Sequence, residues 1–302
     1  MATVNNRVKI PVASVINGVD AGGIMTISIS EGYDQVLESP IDGLALPAID
    51  REIQFCRGTV VTQDWIHMVD LLTGTVGTYI FYEKKSGAAT YIQHTITNPM
   101  IHSVSINQTK TGYITCSFSF ECKAADETKG FADMHAFADA QAEPIYISAA
   151  RGGYRVKTAA HGGSTSLYHV MNFSFAIQAR LDKACNDSDK SYTAVDVEAI
   201  GMSVNGSIGH QDSEIDGVSS ASKAQDLLAA SAANLVLTVT QGGGATDKVI
   251  TIANVIFGTS QRSTDASKSF TEMSSPFRIS NDPATPLTLA GENKIITIAD
   301  AA

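Results

Sequence analysis

Asp70 to Asn98 reads DLLTGTVGTYIFYEKKSGAATYIQHTITN, and the stretch 156 residues later, Asp226 to Asn254, reads DLLAASAANLVLTVTQGGGATDKVITIAN. Nine of the 29 aligned positions are identical without a gap, whereas unrelated stretches would share roughly two. Each copy has the pattern of a helix end, a strand, a glycine turn and a second strand. The chain is therefore predicted to contain one fold unit twice, with Gly87 and Gly243 at equivalent turns.

Alternating strand patterns occur upstream of both copies. Met25–Ile29 reads MTISI and Met171–Phe175 reads MNFSF, and such alternation is typical of half-buried strands. The predicted fold class is mainly β, with two tandem β-sandwich or barrel-like domains, each carrying one short helix. The first domain is predicted at 1–125 and the second at 153–302, joined by a helical connector at 126–152.

Two helices are predicted in the first part of the chain. Thr62 is a suitable N-cap, and Trp65, Met68 and Leu72 then follow on one helical face. The connector is predicted to be helical over 128–141, where apolar residues also recur at helical spacing.

Composition places the chain among folded proteins rather than disordered ones. It has 302 residues, of which 44% are hydrophobic, and its formal net charge is −10. No apolar run is long enough to span a membrane, and the N-terminus lacks a signal-peptide core. We therefore expect no membrane anchor and synthesis in a cytoplasm.

The cysteines and acidic residues argue against several kinds of site. The four cysteines have no CxxC spacing and no closely spaced histidine pair beside them, so neither a zinc site nor a disulfide framework is predicted. Lysine and arginine are not clustered, so the chain is not expected to grip nucleic acid through its phosphates.

No catalytic constellation emerges from the sequence, so we expect no enzyme activity, no catalytic residues, no bound metal and no cofactor. GxSxG, HExxH and P-loop motifs are absent. Asp187, Asp189 and Glu198 have part of a calcium-loop spacing, but Tyr192 stands where that loop needs glycine.

The segment Glu31 to Asp50 is predicted to be either a long irregular loop or an extended hairpin. It carries two prolines, two glycines and no clean period, and long loops in compact domains are usually functional. Its apolar residues are unusual for a free loop and are candidates for contact with a neighbouring molecule: Val36, Leu37, Ile41, Leu44 and Leu46.

This order of elements, with the helix and hairpin regions 62–98 and 218–254 and the long segment 31–50, resembles the tail tube proteins of long-tailed bacteriophages. The tandem copy is similar to the group in which the tube domain is duplicated. The resemblance covers nearly the whole chain but rests on element order, duplication and acidic charge, because that family has no sharp motif. The connector departs from the pattern.

The resemblance implies a structural virion protein located in the phage tail and assembled in the host cytoplasm. Three copies would form a pseudo-hexameric ring, and rings would stack into a hollow tube that double-stranded DNA passes through without tight binding. Tape-measure and tail-end proteins would be further partners. Acidic side chains, with Glu83 and Asp247 as candidates, would face the lumen and repel phosphates. The alternative is a two-domain β-sandwich binding module for a carbohydrate or protein ligand on a virion or cell surface.

Overall fold

The structure is a computed structural model of the chain. The residues that it describes are 9–16, 19–22, 24–38, 48–63, 65, 77–85, 88–122, 130–142, 153–163, 165–167, 170–183, 197–212, 227–241, 246–263, 271–281, 287 and 294–301.

Strands make up most of the described residues, which confirms the predicted mainly β class. One short helix, Phe131–Met134, lies between the eighth and ninth strands. The strands are β1 Lys9–Ile16, β2 Val19–Gly22, β3 Ile24–Glu38, β4 Ala48–Thr62, β5 Thr78–Lys85, β6 Tyr91–Thr97, β7 Pro99–Gln108, β8 Thr115–Cys122, β9 His135–Gln141, β10 Tyr154–His161, β11 Thr165–Leu167, β12 Val170–Lys183, β13 Val197–Asp212, β14 Ala233–Gln241, β15 Lys248–Phe257, β16 Gln261–Ser263, β17 Thr271–Ile279 and β18 Ile296–Asp300.

The strands form two sheets. The smaller sheet has the order β2-β1-β5-β6-β9. The larger one runs β11-β10-β14-β15-β17-β13-β12-β7-β8-β4-β3, with β16 paired to β17 and β18 paired to β15. We call β1–β9 the N-terminal half and β10–β18 the C-terminal half.

The predicted connector helix over 128–141 is wrong beyond Met134. His135–Gln141 is instead the strand β9, which pairs with β6 from Ile96↔His135 to Tyr91↔Gln141. The supposed apolar helix face does not exist, because Phe137 is 61% exposed while His135 is buried. The edge of β6 offered backbone partners that outweighed the helix propensity of this alanine-rich segment.

The extended hairpin is the correct alternative for the segment 31–50. β3 and β4 pair as far as Glu38↔Ala48, and the register shifts once in this segment, between Val36 opposite Arg51 and Leu37 opposite Ile49. Ile41, Leu44 and Leu46 lie outside the described residues.

Other predictions are covered only in part. Of the helix predicted after Thr62, only Trp65 is described, and it is fully buried against Tyr154 with ring centroids 5.6 Å apart. The described residues do not include Gly87, Gly243 or the segment with partial calcium-loop spacing before Val197.

The central hairpins of the two halves have the same register. In the N-terminal half Tyr79 pairs with Ile96 and Phe81 with His94. In the C-terminal half the residues 156 positions later pair in the same way, Leu235 with Ile252 and Leu237 with Ile250. Asn98 and Asn254, also 156 apart, both have left-handed backbone, with φ of 48° and 49°. Asn98 lies between β6 of the small sheet and β7 of the large one, whereas Asn254 lies within β15.

Irregularities recur at corresponding places as well. The pairing of β1 with β5 shifts register between Pro11 and Ala13, and the pairing of β10 with β14 shifts between Val156 and Thr158. Similarly, β3·β4 shifts between Ile24 and Thr26, and β12·β13 shifts between Val170 and Asn172. Because a bulge is specified by its local surroundings, shared bulges indicate the same strand plan in both halves.

A close glycine–phenylalanine contact also occurs in both halves. A Cβ on Gly58 would lie 2.4 Å from the ring of Phe120, and one on Gly206 would lie 2.2 Å from the ring of Phe277. The two pairs face each other across β4·β8 and β13·β17. Only glycine lets the aromatic ring lie directly over the neighbouring strand at these positions.

The halves are joined through strand pairing rather than only through a linker. β7, from the N-terminal half, pairs antiparallel with β12, from the C-terminal half, from Gln178↔Ser103 to Phe173↔Gln108. The result is one continuous sheet in which β3-β4-β8-β7 is followed by β12-β13-β17-β16.

Candidate functional site: open sheet edges and a buried polar cluster

The long sheet has two corresponding strands with different neighbours. β12 is covered on its outer edge by β7, whereas among the described residues its counterpart β3 pairs only with β4. Likewise β16, the counterpart of residues 105–107 near the end of β7, pairs only with β17 in the described chain. Within the described part of the chain, the sheet therefore has an open edge along β3 and a short one at β16.

Side chains of β3 are less buried than their counterparts on β12, the strand that β7 covers. Phe173 and Phe175 of β12 are buried, but the corresponding Ile27 and Ile29 of β3 are only partly buried. Met25 and Tyr33 on the same strand are 53% and 49% exposed. Residues 24–33 also contain no lysine and no proline, which are the usual protections of an exposed edge.

A buried polar cluster lies between the two sheets of the N-terminal half. The His135 Nδ1 atom lies 2.7 Å from the Glu31 Oε1 atom, and the His135 Nε2 atom lies 3.1 Å from the His94 Nδ1 atom. The His94 Nε2 atom in turn lies 3.2 Å from a carboxylate oxygen of Glu83. Both imidazoles are buried, so their polar atoms depend on these contacts.

Two cysteines adjoin this chain of contacts. Cys56 stands opposite Glu31 in the β3·β4 pair, and one ligand-type atom each from Glu31, Cys56 and His135 lie within 4.8 Å of one another. A hydrogen bond with Cys56, together with burial, raises the pKa of Cys122. Cys122 therefore remains a thiol that can donate its S–H to the Cys56 sulfur.

The corresponding positions of the C-terminal half are all aliphatic. The shared registers place Ile177 opposite Val204 where Glu31 is opposite Cys56, and Ile296 opposite Ile252 where His135 is opposite Ile96. The counterparts of the two carboxylates and the two imidazoles are fully or almost fully buried: Ile177, Val239, Ile250 and Ile296. The counterparts of the two cysteines, Val204 and Ile279, are partly buried.

The structure places the predicted lumen residues in different surroundings. Glu83 contacts buried His94 and its side chain is 18% exposed, and its lumen role stays a prediction. Asp247 lies 3.5 Å from the Lys157 ammonium. A hydrogen bond with Thr240, and the nearby Lys157, lower the pKa of Asp247. For Val36 and Leu37 the structure describes the backbone in β3, and their contact role stays a prediction.

The sequence reasoning missed the cluster altogether. Glu31, Cys56, His94 and His135 are far apart in the chain, and only sheet pairing and sheet stacking bring them together. One signal was available, because at the repeat offset of 156 His94 aligns with Ile250 and Glu83 with Val239. A charged residue aligned with an aliphatic one in a strand indicates that the cores of the two repeats differ at that position.

No protein-family model matches this chain, and no curated protein matches it closely enough to indicate a relative. In the part of the chain that the structure describes, no helix is long and apolar enough to cross a membrane.

Proposed function

We propose that the protein is a structural subunit that assembles with copies of itself into rings, as in a phage tail tube. The observation that carries this proposal is the pairing of β7 with β12. It joins the two halves edge to edge, and among the described residues the corresponding strands each keep one partner only, β4 for β3 and β17 for β16. The two halves are, on this proposal, duplicated copies of one unit.

The open edges are complementary rather than identical. A β16–β3 contact between two chains would repeat the β7–β12 contact within one chain, and it would leave another β16 and another β3 open. Such a head-to-tail contact closes into a ring when the rotation permits and otherwise continues as a filament. Edge closure also removes the aggregation hazard of an unprotected strand.

Three copies fit the strand count of a wide barrel. The N-terminal half contributes β3, β4, β7 and β8 to the long sheet, and their counterparts β12, β13, β16 and β17 lie in the same sheet. A three-chain ring built from these strands would contain about 24 of them, more than the 16–18 strands that already enclose an aqueous channel in porins. A duplex passing through such a lumen would be held off the wall by a protein with net charge −10.

The remaining assembly roles follow from the same proposal. Stacking of rings would involve the far end of the β3–β4 hairpin, where Val36 and Leu37 lie. On this proposal, tape-measure and tail-end proteins would contact the tube. The protein would be located in the tail of the virion.

The intramolecular register predicts the intermolecular one. Phe175 pairs with Ile106 and Ala176 with Ser105 within the chain. Transferring these pairs to the corresponding residues places Ser30 of one chain opposite Gln261 of the next. The double variant with Ser30→Cys and Gln261→Cys should therefore form disulfides between chains under mild oxidation. On a non-reducing gel the covalent ladder should end at three chains.

The matched control is the double variant with Ser30→Cys and Thr259→Cys. It shifts the second thiol by two residues, to a diagonal position roughly 7–8 Å away, beyond normal disulfide reach. Single-cysteine variants control for the native thiols. Electron microscopy of the purified protein should show rings or tubes. A uniform population of monomers, or equal cross-linking of both double variants, would refute the proposal.

A further inference from the structure

We propose that Glu31, Cys56 and His135 form a binding site for one divalent transition-metal ion, with zinc the best fit. A carboxylate, a thiolate and an imidazole are all ligand types that zinc accepts. The site is independent of ring assembly, because all three ligands belong to one half of one chain.

The geometry requires only small side-chain movements. Tetrahedral zinc with bonds of about 2.0–2.3 Å holds its ligand atoms roughly 3.3–3.8 Å apart. The three candidate atoms already lie within 4.8 Å of one another. Cys56 is fully buried and His135 almost so, whereas the Glu31 side chain is 36% exposed. The Glu31 side therefore offers an entry path and a fourth position for water.

The hydrogen bonds behind His135 suit a metal-bound imidazole. Three contacts, Glu31–His135, His135–His94 and His94–Glu83, need three protons, but two neutral imidazoles carry only two. With the metal between Glu31 and His135 Nδ1, two contacts remain. His135 Nε2–H then donates to His94 Nδ1, and the protonated His94 Nε2 makes an electrostatic contact with the Glu83 carboxylate, 3.2 Å away. Such carboxylate–histidine support is the usual second layer of a metal site.

The ion would connect the two sheets. Glu31 and Cys56 belong to β3 and β4 of the long sheet, and His135 begins β9 of the small sheet. At the corresponding place in the C-terminal half, Ile177 and Ile296 are buried in the hydrophobic core and Val204 packs against it. On binding, Cys56 loses its thiol proton to solvent and coordinates as the thiolate.

Zinc content and cobalt absorption of the full chain test the site. Chelator-stripped protein equilibrated with Zn²⁺ should retain one ion per chain, and Co²⁺ should produce thiolate-to-cobalt charge-transfer absorption. Both signals should disappear in Cys56→Ser and His135→Gln. They should persist in Cys116→Ser, which changes a buried cysteine outside the cluster. Glu83→Gln should weaken zinc binding about 10–100-fold, because Glu83 acts through His94.

Folding of each stripped variant is checked by circular dichroism. If Cys56→Ser fails to fold, Glu31→Gln replaces it, since a half-exposed carboxylate can be changed without opening the core. Zinc should also raise the Tm of the wild type and leave that of Cys56→Ser unchanged. Absence of stoichiometric zinc in the wild type, or equal zinc binding by Cys56→Ser or Glu31→Gln, would overturn the proposal.

Discussion

The two halves of this chain share their strand plan but differ inside. The central hairpins, two bulges and the glycine–phenylalanine contacts coincide. Between the sheets, however, the N-terminal half has carboxylates, imidazoles and thiols where the C-terminal half has isoleucine and valine. The same backbone plan therefore accommodates two interiors, which shows that strand pairing does not depend on the chemistry at this place.

The difference also shows what each interior requires. Aliphatic side chains need only volume and shape, whereas buried polar atoms need a complete set of partners. A polar residue moved alone into the aliphatic half should consequently cost more than an aliphatic residue moved into the polar half.

The largest effect is expected from Ile296→His, which places an imidazole at a buried position opposite Ile252 in the β15·β18 pair. Lost packing and an unsatisfied polar ring should lower the free energy of unfolding by roughly 3–5 kcal/mol. The reciprocal His135→Ile should cost about 1–3 kcal/mol, because Glu31 and His94 would each lose a hydrogen-bond partner. Urea denaturation measures both. Thr297→His, on the exposed face of the same strand, should change stability by less than about 0.5 kcal/mol.

An intermediate effect is expected where the two halves agree. Gly58→Ala and Gly206→Ala each place a methyl group against a phenylalanine ring and should cost about 1–3 kcal/mol. Gly206→Ala should be the worse of the two, because the added Cβ also lies 2.5 Å from the Ser174 carbonyl oxygen, against 3.0 Å from that of Ser28 for Gly58. Thermal unfolding gives the order.

Gly258→Ala is the matched control, because its added Cβ would meet only ordinary contacts from 3.6 Å. If both Gly58→Ala and Gly206→Ala were as stable as this control, the shared close contact would not be a feature of the fold.

The smallest effect is expected at the turn end of the hairpins. In the N-terminal half Lys84 lies over the Tyr91 ring, and in the C-terminal half the corresponding residues are Thr240 and Asp247. The hydrogen bond with Thr240, and Lys157, lower the pKa of Asp247. Its contribution to stability is therefore present above the unfolded pKa of about 4 and is lost as the pH falls through the lower folded value.

Asp247→Asn should thus be slightly less stable than the wild type at neutral pH and equally stable in strong acid. Measuring the Tm as a function of pH tests this convergence. In a Lys157→Met background, Asp247→Asn should change the Tm at neutral pH by less than it does in the wild type. A stability difference that persisted unchanged into acid would show that the charge of Asp247 is not its cause.

Much of the fold could be predicted because β patterns are local. The alternation at Met25–Ile29 predicted a strand, and the repeat predicted hairpins with matching positions, which β5–β6 and β14–β15 occupy. The segment 135–141 was mispredicted because its helical pattern is local, whereas the edge of β6 that it pairs with is not.

The sequence by itself determined the mainly β class, the acidic charge and the similarity of residues 70–98 to 226–254, since these follow from composition and short-range pattern. Only the tertiary structure decided that β7 pairs with β12, whereas β3 and β16 each have a single strand partner among the described residues. It also decided that Glu31, Cys56 and His135 meet. The physical reason is that hydrogen-bond pairing and sheet packing connect residues about a hundred positions apart, and no spacing along the chain records which strands become neighbours.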